Sequence, residues 1–200
     1  MFILSKNMFR HVVAGCAAVT LALTVCQVQG AQGSNQERQA KAEARLQNEV
    51  RHVLVTQPFY TVFDNLAYKV DGDRVTLLGQ VVTPTLKIDA GNAVKSIEGV
   101  AALDNQIEVL PVSPSDDQIR RAEFRAIYSA PGMEKYSIQA VPPIHIIVKN
   151  GHVTLVGVVA NEMDKVLANQ RANSVPGIFS VANDLKVEKQ TPEANKAFKR

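Results

Sequence analysis

Few residues in this chain are equipped for chemistry. Beyond position 30 the histidines are His52, His145 and His152, and both cysteines, Cys16 and Cys26, fall before that point. His145 and His152 flank Asn150-Gly151, a strong hairpin signal because both turn positions need a positive φ. With that turn, Lys149 opposes His152 and Val156 opposes His145, so the two imidazoles are not cross-strand partners. A zinc site needs three or four ligands in fixed geometry, which this spacing does not supply. Asp71 and Asp73 bracket Gly72 and read as turn residues rather than as an acid pair. No G-x-S-x-G, H-E-x-x-H, P-loop or G-x-G-x-x-G occurs. The expectation is a non-enzymatic protein with no catalytic residue, no metal and no cofactor.

The first thirty residues are set apart from the fold. Lys6 and Arg10 make a positive start, Val12 to Val25 is an apolar run of 14 residues, and no acid occurs before Glu37. Val28-Gln29-Gly30 offers a cleavage site near Gly30/Ala31, which completes the pattern of a secretory signal peptide. The run is short of the roughly 20 apolar residues that span a bilayer; an uncleaved anchor is the alternative. Val13-Ala14-Gly15-Cys16 looks like a lipoprotein box without enough apolar chain before it, and Leu23-Thr24-Val25-Cys26 has Val where a small residue belongs. A chain cut after Gly30 keeps no cysteine, so thiol catalysis and disulfides are excluded. It keeps 20 basic residues against 19 acidic ones, too even a balance for a nucleic-acid field.

The elements that follow are written twice. With an offset of 78, Val70, Val75, Thr76, Leu77, Gly79, Val81, Lys87, Ala90, Ser96, Gly99, Asn105 and Val109 match Val148, Val153, Thr154, Leu155, Gly157, Val159, Lys165, Ala168, Ser174, Gly177, Asn183 and Val187 without a gap. Twelve identities in 40 positions, with Ile97/Val175, Val100/Ile178, Leu103/Val181 and Ile107/Leu185 conservative, make this a tandem duplication. Each copy reads α-β-β-α-β. In the first (34–110), Ser34-Asn35-Gln36-Glu37 is a capping box, with Leu46, Val50, Val53 and Leu54 inward. Strands Leu66–Val70 and Arg74–Val82 follow, then a helix capped by Thr83 with Pro84 first, then a strand over Val100–Val109. In the second (115–189), Ser115-Asp116-Asp117-Gln118 is the capping box, with Ile119, Ala122, Ala126 and Ile127 inward. Strands Ile144–Lys149 and His152–Val159 follow, then a helix capped by Asn161 and running to Ser174, then a strand over Ile178–Val187. Residues 111–114, Pro-Val-Ser-Pro, are the joint, and 190–200 a basic tail. The fold class is α+β, each copy a three-stranded mixed sheet with two helices on one face. Gly157 is expected to allow close packing where its strand meets a helix.

"NGHVTLVGVV", followed by Ala168, Ala172, Val175, Gly177, Ile178, Val181, Asn183, Leu185 and Val187, resembles the BON domain, and the first copy matches with Val75, Thr76, Leu77, Gly79, Val94, Gly99, Val100, Asn105, Ile107 and Val109. The resemblance implies a bacterial envelope setting and an association with phospholipid surfaces, envelope or osmotic stress, and periplasmic chaperoning. It offers no catalytic motif. The element order is loosely like a KH module, but the Gly-x-x-Gly clamp is missing, which argues against nucleic acid.

The copies differ where function is sought. On the sheet face away from the core, the second copy carries Ile147, Thr154, Val156 and Val158, where the first has Lys69, Thr76, Leu78 and Gln80. On its later helix, Met163, Val166 and Leu167 fall away from the inward Ala168, where the first copy has Thr85, Ile88 and Asp89. Met133, Lys135 and Tyr136 precede its first strand and suit a lipid interface, an aromatic body beside a cation. The candidate surface is thus Met133, Lys135, Tyr136, Ile147, Val156, Met163, Val166 and Leu167. Its expected partner is an anionic phospholipid surface, or alternatively envelope proteins, with a seam between the copies as the structural reading. Phe59, Tyr60 and Phe63 are expected in the first core.

Overall fold

A computed structural model describes residues 29–139 and 141–188, with side chains from residue 36 onward. Residues 1–28, which hold both cysteines and most of the expected signal peptide, and the expected tail 190–200 lie outside the described residues. Helix α1 (Gln29–Val55) leads to strands β1 (Asn65–Asp71) and β2 (Arg74–Val81), helix α2 (Pro84–Lys95), and a third strand split into β3 (Ala102–Asn105) and β4 (Glu108–Val109). The second copy has helix α3 (Pro114–Tyr128), a 3-10 turn (Glu134–Tyr136), strands β5 (Ile144–Lys149) and β6 (His152–Val159), helix α4 (Glu162–Ala172) and strand β7 (Ser180–Val187). In each sheet the middle strand pairs antiparallel with the first and parallel with the last. The α+β class, with two mixed sheets, is as the sequence predicts.

Registers follow the turn chemistry. Lys149 faces His152 and Val156 faces His145 across the Asn150-Gly151 turn, which has φ of 51° and 77°. Thr83 accepts from the Leu86 amide and Asn161 from the Asp164 amide, with Pro84 opening α2. Two predicted caps are displaced. Helix α1 starts at Gln29, so Ser34 lies inside it. Helix α3 is capped by Ser113, whose Oγ accepts from the Asp116 amide, and Pro114 is its first residue. Ser113-Pro114 therefore repeats the Thr83-Pro84 device, and half of the expected joint belongs to the helix.

The glycine shared by the two hairpins has a different role from the one expected. Gly157 (φ +139°) and Gly79 (φ +113°) sit where the neighbouring strand begins, and a Cβ there would stand 1.9 Å from the Pro143 carbonyl oxygen and 2.0 Å from that of Asn65. Backbone, not a helix, makes the close approach.

Two apolar cores result. Leu46, Val50 and Leu54 pack over Val75, Leu77, Leu86, Ala90 and Val94 in the first; Ile119 and Ile127 pack over Ile144, Ile146, Leu155, Ala168 and Leu185 in the second. Ala122 and Ala126 are only half-buried; the inward stripe of α3 runs through Asp116, Ile119, Arg120, Glu123 and Ile127 instead. The described residues from 39 onward form one compact unit. The aromatic segment before β1 serves both copies: Tyr60 packs on the first core as expected, while Val62 and Phe63 join the second. Val62 is buried in the second core and Phe63 packs on Phe124 at 6.4 Å between centroids. Tyr60 stacks on His145 at 5.4 Å, and Phe59 is exposed with φ +69°.

Candidate partner surface

The structure divides the eight predicted surface residues. Met133 and Tyr136 are buried in the second core, because the 3-10 turn folds the segment inward through Met133 N to Ala130 O (2.9 Å) and Tyr136 N to Met133 O (3.0 Å). The Tyr136 hydroxyl donates to Asp164 Oδ2 (2.6 Å) and accepts from the Ala160 amide (2.8 Å). Lys135 stays half-exposed, with Nζ 2.6 Å from Asp164 Oδ2 and 5.0 Å from the Tyr136 ring centroid. Burial works to raise the Asp164 carboxyl, but hydrogen bonds from Lys135, Tyr136 and Asn161 outweigh it and hold the group below its usual range. Ile147 is buried and lines a cleft with Gln80, Glu108 and Leu110 of the first copy. It therefore belongs to the seam, where Lys149 also meets Glu108 at 2.5 Å. Val156 is half-buried, and Leu167 leans on the core.

Met163 and Val166 remain outside, 74% and 59% exposed on α4. The bonds from Tyr136 and Lys135 to Asp164 bring the segment after α3 against the start of this helix. Two residues beyond Tyr136 stands Ile138, 83% exposed, which sequence reasoning missed. Val158, at the end of β6, is also exposed. The strand alternation had already placed Val158 outward; Ile138 carried no periodic signal, since it lies in irregular chain. Ile138, Met163 and Val166 thus lie around the start of α4, whereas Val158 is on the opposite, outer face of the sheet with Ile147. Exposed large apolar side chains gathered in one place mark an interaction surface.

A second group was legible but unread. Asp116 is buried, and its carboxylate accepts from the amides of Asn150 (2.8 Å) and Gly151 (2.9 Å). Arg120 reaches Val148 O (2.8 Å) and Tyr128 donates to Ile144 O (2.5 Å). With Ile146 N bonded to Val62 O (2.8 Å), these close the outer edge of β5. Helical spacing from Ile119 and Ile127 puts Glu123 on the inward stripe, which was the available signal.

Among the described residues no group of three or more His, Cys, Asp or Glu could hold a metal ion. None of the helices described is long and apolar enough to cross a membrane. The class these features define is a tandem α+β module in which the copies share a scaffold and differ in exposed and buried polar detail. The profile of the BON domain matches residues 39–111 and 132–189, and the chain belongs to the BON domain family. That family is generally non-enzymatic, and membership supports an association with the bacterial envelope. The match does not include 112–131, and so omits α3. A search of curated proteins returns no match. Among solved structures, CdsD, a structural protein of the type III secretion system of Chlamydia trachomatis, overlaps 78% of this chain and 98% of its own at 12% identity and a TM-score of 0.31. Its C-terminal domain overlaps 71% of this chain and 96% of its own at 13% identity and a TM-score of 0.29. Overlaps of this quality lend nothing to the functional reading.

Proposed function

We propose that this is an exported, non-enzymatic envelope protein that rests on phospholipid surfaces through the apolar end of its second copy. The observation that carries the reading is the exposure of Ile138, Met163 and Val166 around the start of α4. Such side chains gain by entering the headgroup–acyl boundary, each contributing up to roughly 1.5–3 kcal/mol if fully withdrawn from water. Lys165 and Arg171 on the same helix, against Glu162, favour anionic headgroups. Lys135 adds little to that attraction because Asp164 neutralises it.

Co-sedimentation of residues 31–200 with vesicles, with and without anionic lipid, tests the reading. The double substitution Met163→Asp, Val166→Asp should cut retention at least tenfold and leave the unfolding midpoint unchanged, since both side chains already face solvent. Leu167 is not used, because it contributes to the core. Failure of the unsubstituted protein to sediment with anionic vesicles at low salt would sink the lipid reading. Capture of unfolded envelope proteins through the same residues would then be the function to test.

A further inference from the structure

Aligning α1 and α3 on their buried stripes pairs Leu46, Val50 and Leu54 with Ile119, Glu123 and Ile127. The second copy thus places a carboxyl where the first has Val50. Glu123 is 0% exposed, and neither of its oxygens has a hydrogen-bond partner among the described residues. One helical turn earlier, Arg120 spends Nη1 on Asp117 and Nη2 on Val148 O, which leaves its buried Nε without a partner as well.

Among the described residues the elements packed on α3 offer Glu123 no counter-charge; the segment before β1, which packs on α3 through Phe63, adds only Asp64, whose carboxylate is held by Thr61 and the Val82 amide. The helix-facing side chains of the sheet are Ile144, Ile146 and Val148 on β5, Val153, Leu155 and Val159 on β6, and Val181, Asn183, Leu185 and Val187 on β7. Helix α4 turns Ala168 and Ala172 inward; its Asp164 is held by Lys135 and Tyr136, and Lys165 and Arg171 lie toward the surface. Glu134 caps the Gly132 amide, and Asp116 is spent on the hairpin turn. A lone carboxyl in such a place keeps its proton. Burial pushes Glu123 up to about 8.

Helix α3 is also what shields β5. Through Arg120, Tyr128 and Asp116 it holds the Val148 and Ile144 carbonyls and the turn amides. We propose that Glu123 is a proton-held latch: with its proton, α3 stays docked on the second sheet, and loss of that proton to solvent releases the helix and uncovers the Ile144 and Val148 carbonyls on the outer edge of β5. The device is independent of the membrane reading. Because the docked state binds the proton more tightly than a solvated carboxyl does, docking is fully favoured below the ordinary value of 4.5 and is lost as pH rises toward about 8. Between pH 6 and 9 the opening equilibrium should rise about a hundredfold.

Hydrogen exchange of the full chain at pH 6 and pH 9, corrected for the intrinsic pH dependence of exchange, reads this directly. Residues 114–128 and 144–149 should lose about a hundredfold in protection together at the higher pH, while β1 and β2 of the first copy hold theirs. Glu123→Gln, which keeps the shape of the protonated acid, and Glu123→Val, which installs the first copy's residue, should both abolish the change. Equal protection of α3 at the two pH values in the unsubstituted chain would overturn the latch. So would the same pH dependence surviving in E123Q.

Discussion

Asp116→Ala should show how much of the second copy's stability rests on one side chain. The carboxylate is almost wholly buried and takes two backbone N–H bonds, from Asn150 at 2.8 Å and Gly151 at 2.9 Å. Hydrogen bonds to a charged group contribute about 1.5–3 kcal/mol each. Asn150 is exposed and its amide can turn to water, whereas Gly151 is buried and its amide would be left unpaired. The expected loss is therefore about 3 kcal/mol rather than the full sum. Asp116→Asn keeps one acceptor but aims its NH2 group at the second amide, and should cost about 2 kcal/mol. The first copy supplies the control. Glu43, at the same place on its helix, lines an open groove of about 620 Å³ beside Gly72 and Asp73 and makes no bond to that turn among the described residues. Glu43→Ala should cost less than about 0.5 kcal/mol. Urea unfolding is the assay: with an m-value of about 2 kcal/mol/M, Asp116→Ala should lower the midpoint by about 1.5 M with m unchanged. A drop no greater than that of Glu43→Ala would refute the idea that the helix clamps the turn.

Three further outcomes follow from the packing. Gly157→Ala must move the Pro143 carbonyl and hold a side chain at φ +139°, and should destabilise by about 2 kcal/mol or more in the same urea assay. Phe63→Ala removes the ring that packs on Phe124 across the seam and should cost about 2 kcal/mol, with protection lost in α3 rather than in α1 when exchange is measured. Lys149→Ala should change stability by less than about 0.5 kcal/mol despite its short contact with Glu108, because both partners are close to half-exposed.

The repeat made the fold legible. Positions shared by the copies correspond to features of the scaffold: the hairpin valines and leucine enter the cores, and Ala90 and Ala168 pack the later helices onto them. Turn and cap chemistry fixed β5, β6 and the starts of α2 and α4 to the residue. Helix starts were misjudged where two caps competed, since Ser113-Pro114 and Ser115 both fit an N-terminus and only the register on Ile119 decides between them. The candidate surface was harder to read. Helical angle alone found Met163 and Val166, because the inward position of Ala168 fixes them. Met133 and Tyr136 were misplaced because irregular chain carries no period, and the bonds from Tyr136 to Asp164 and Ala160 that pull it inward join residues 24 or more apart. Ile147 was placed on the correct sheet face, but what covers that face could not be read from one strand.

The duplication also separates what the fold requires from what this chain adds. Asn105 donates to the Lys87 carbonyl at 3.0 Å and accepts from the Ile107 amide at 3.2 Å; Asn183 does the same to Lys165 and Leu185 at the same distances. A bond that survives unchanged in both copies, between the last strand and the helix before it, belongs to the scaffold. The residues without a counterpart are of another kind. Glu123 replaces Val50 at a position where Val demonstrably packs, so the carboxyl is not needed to fill the space, and an unpaired buried acid lowers stability near neutral pH. Met163 places apolar surface in water where the first copy has Thr85. Each departure works against stability or solubility while its duplicate shows that the fold manages without it. That is the physical ground for seeking function in Glu123 and in the α4 surface rather than in the phrase the two copies share.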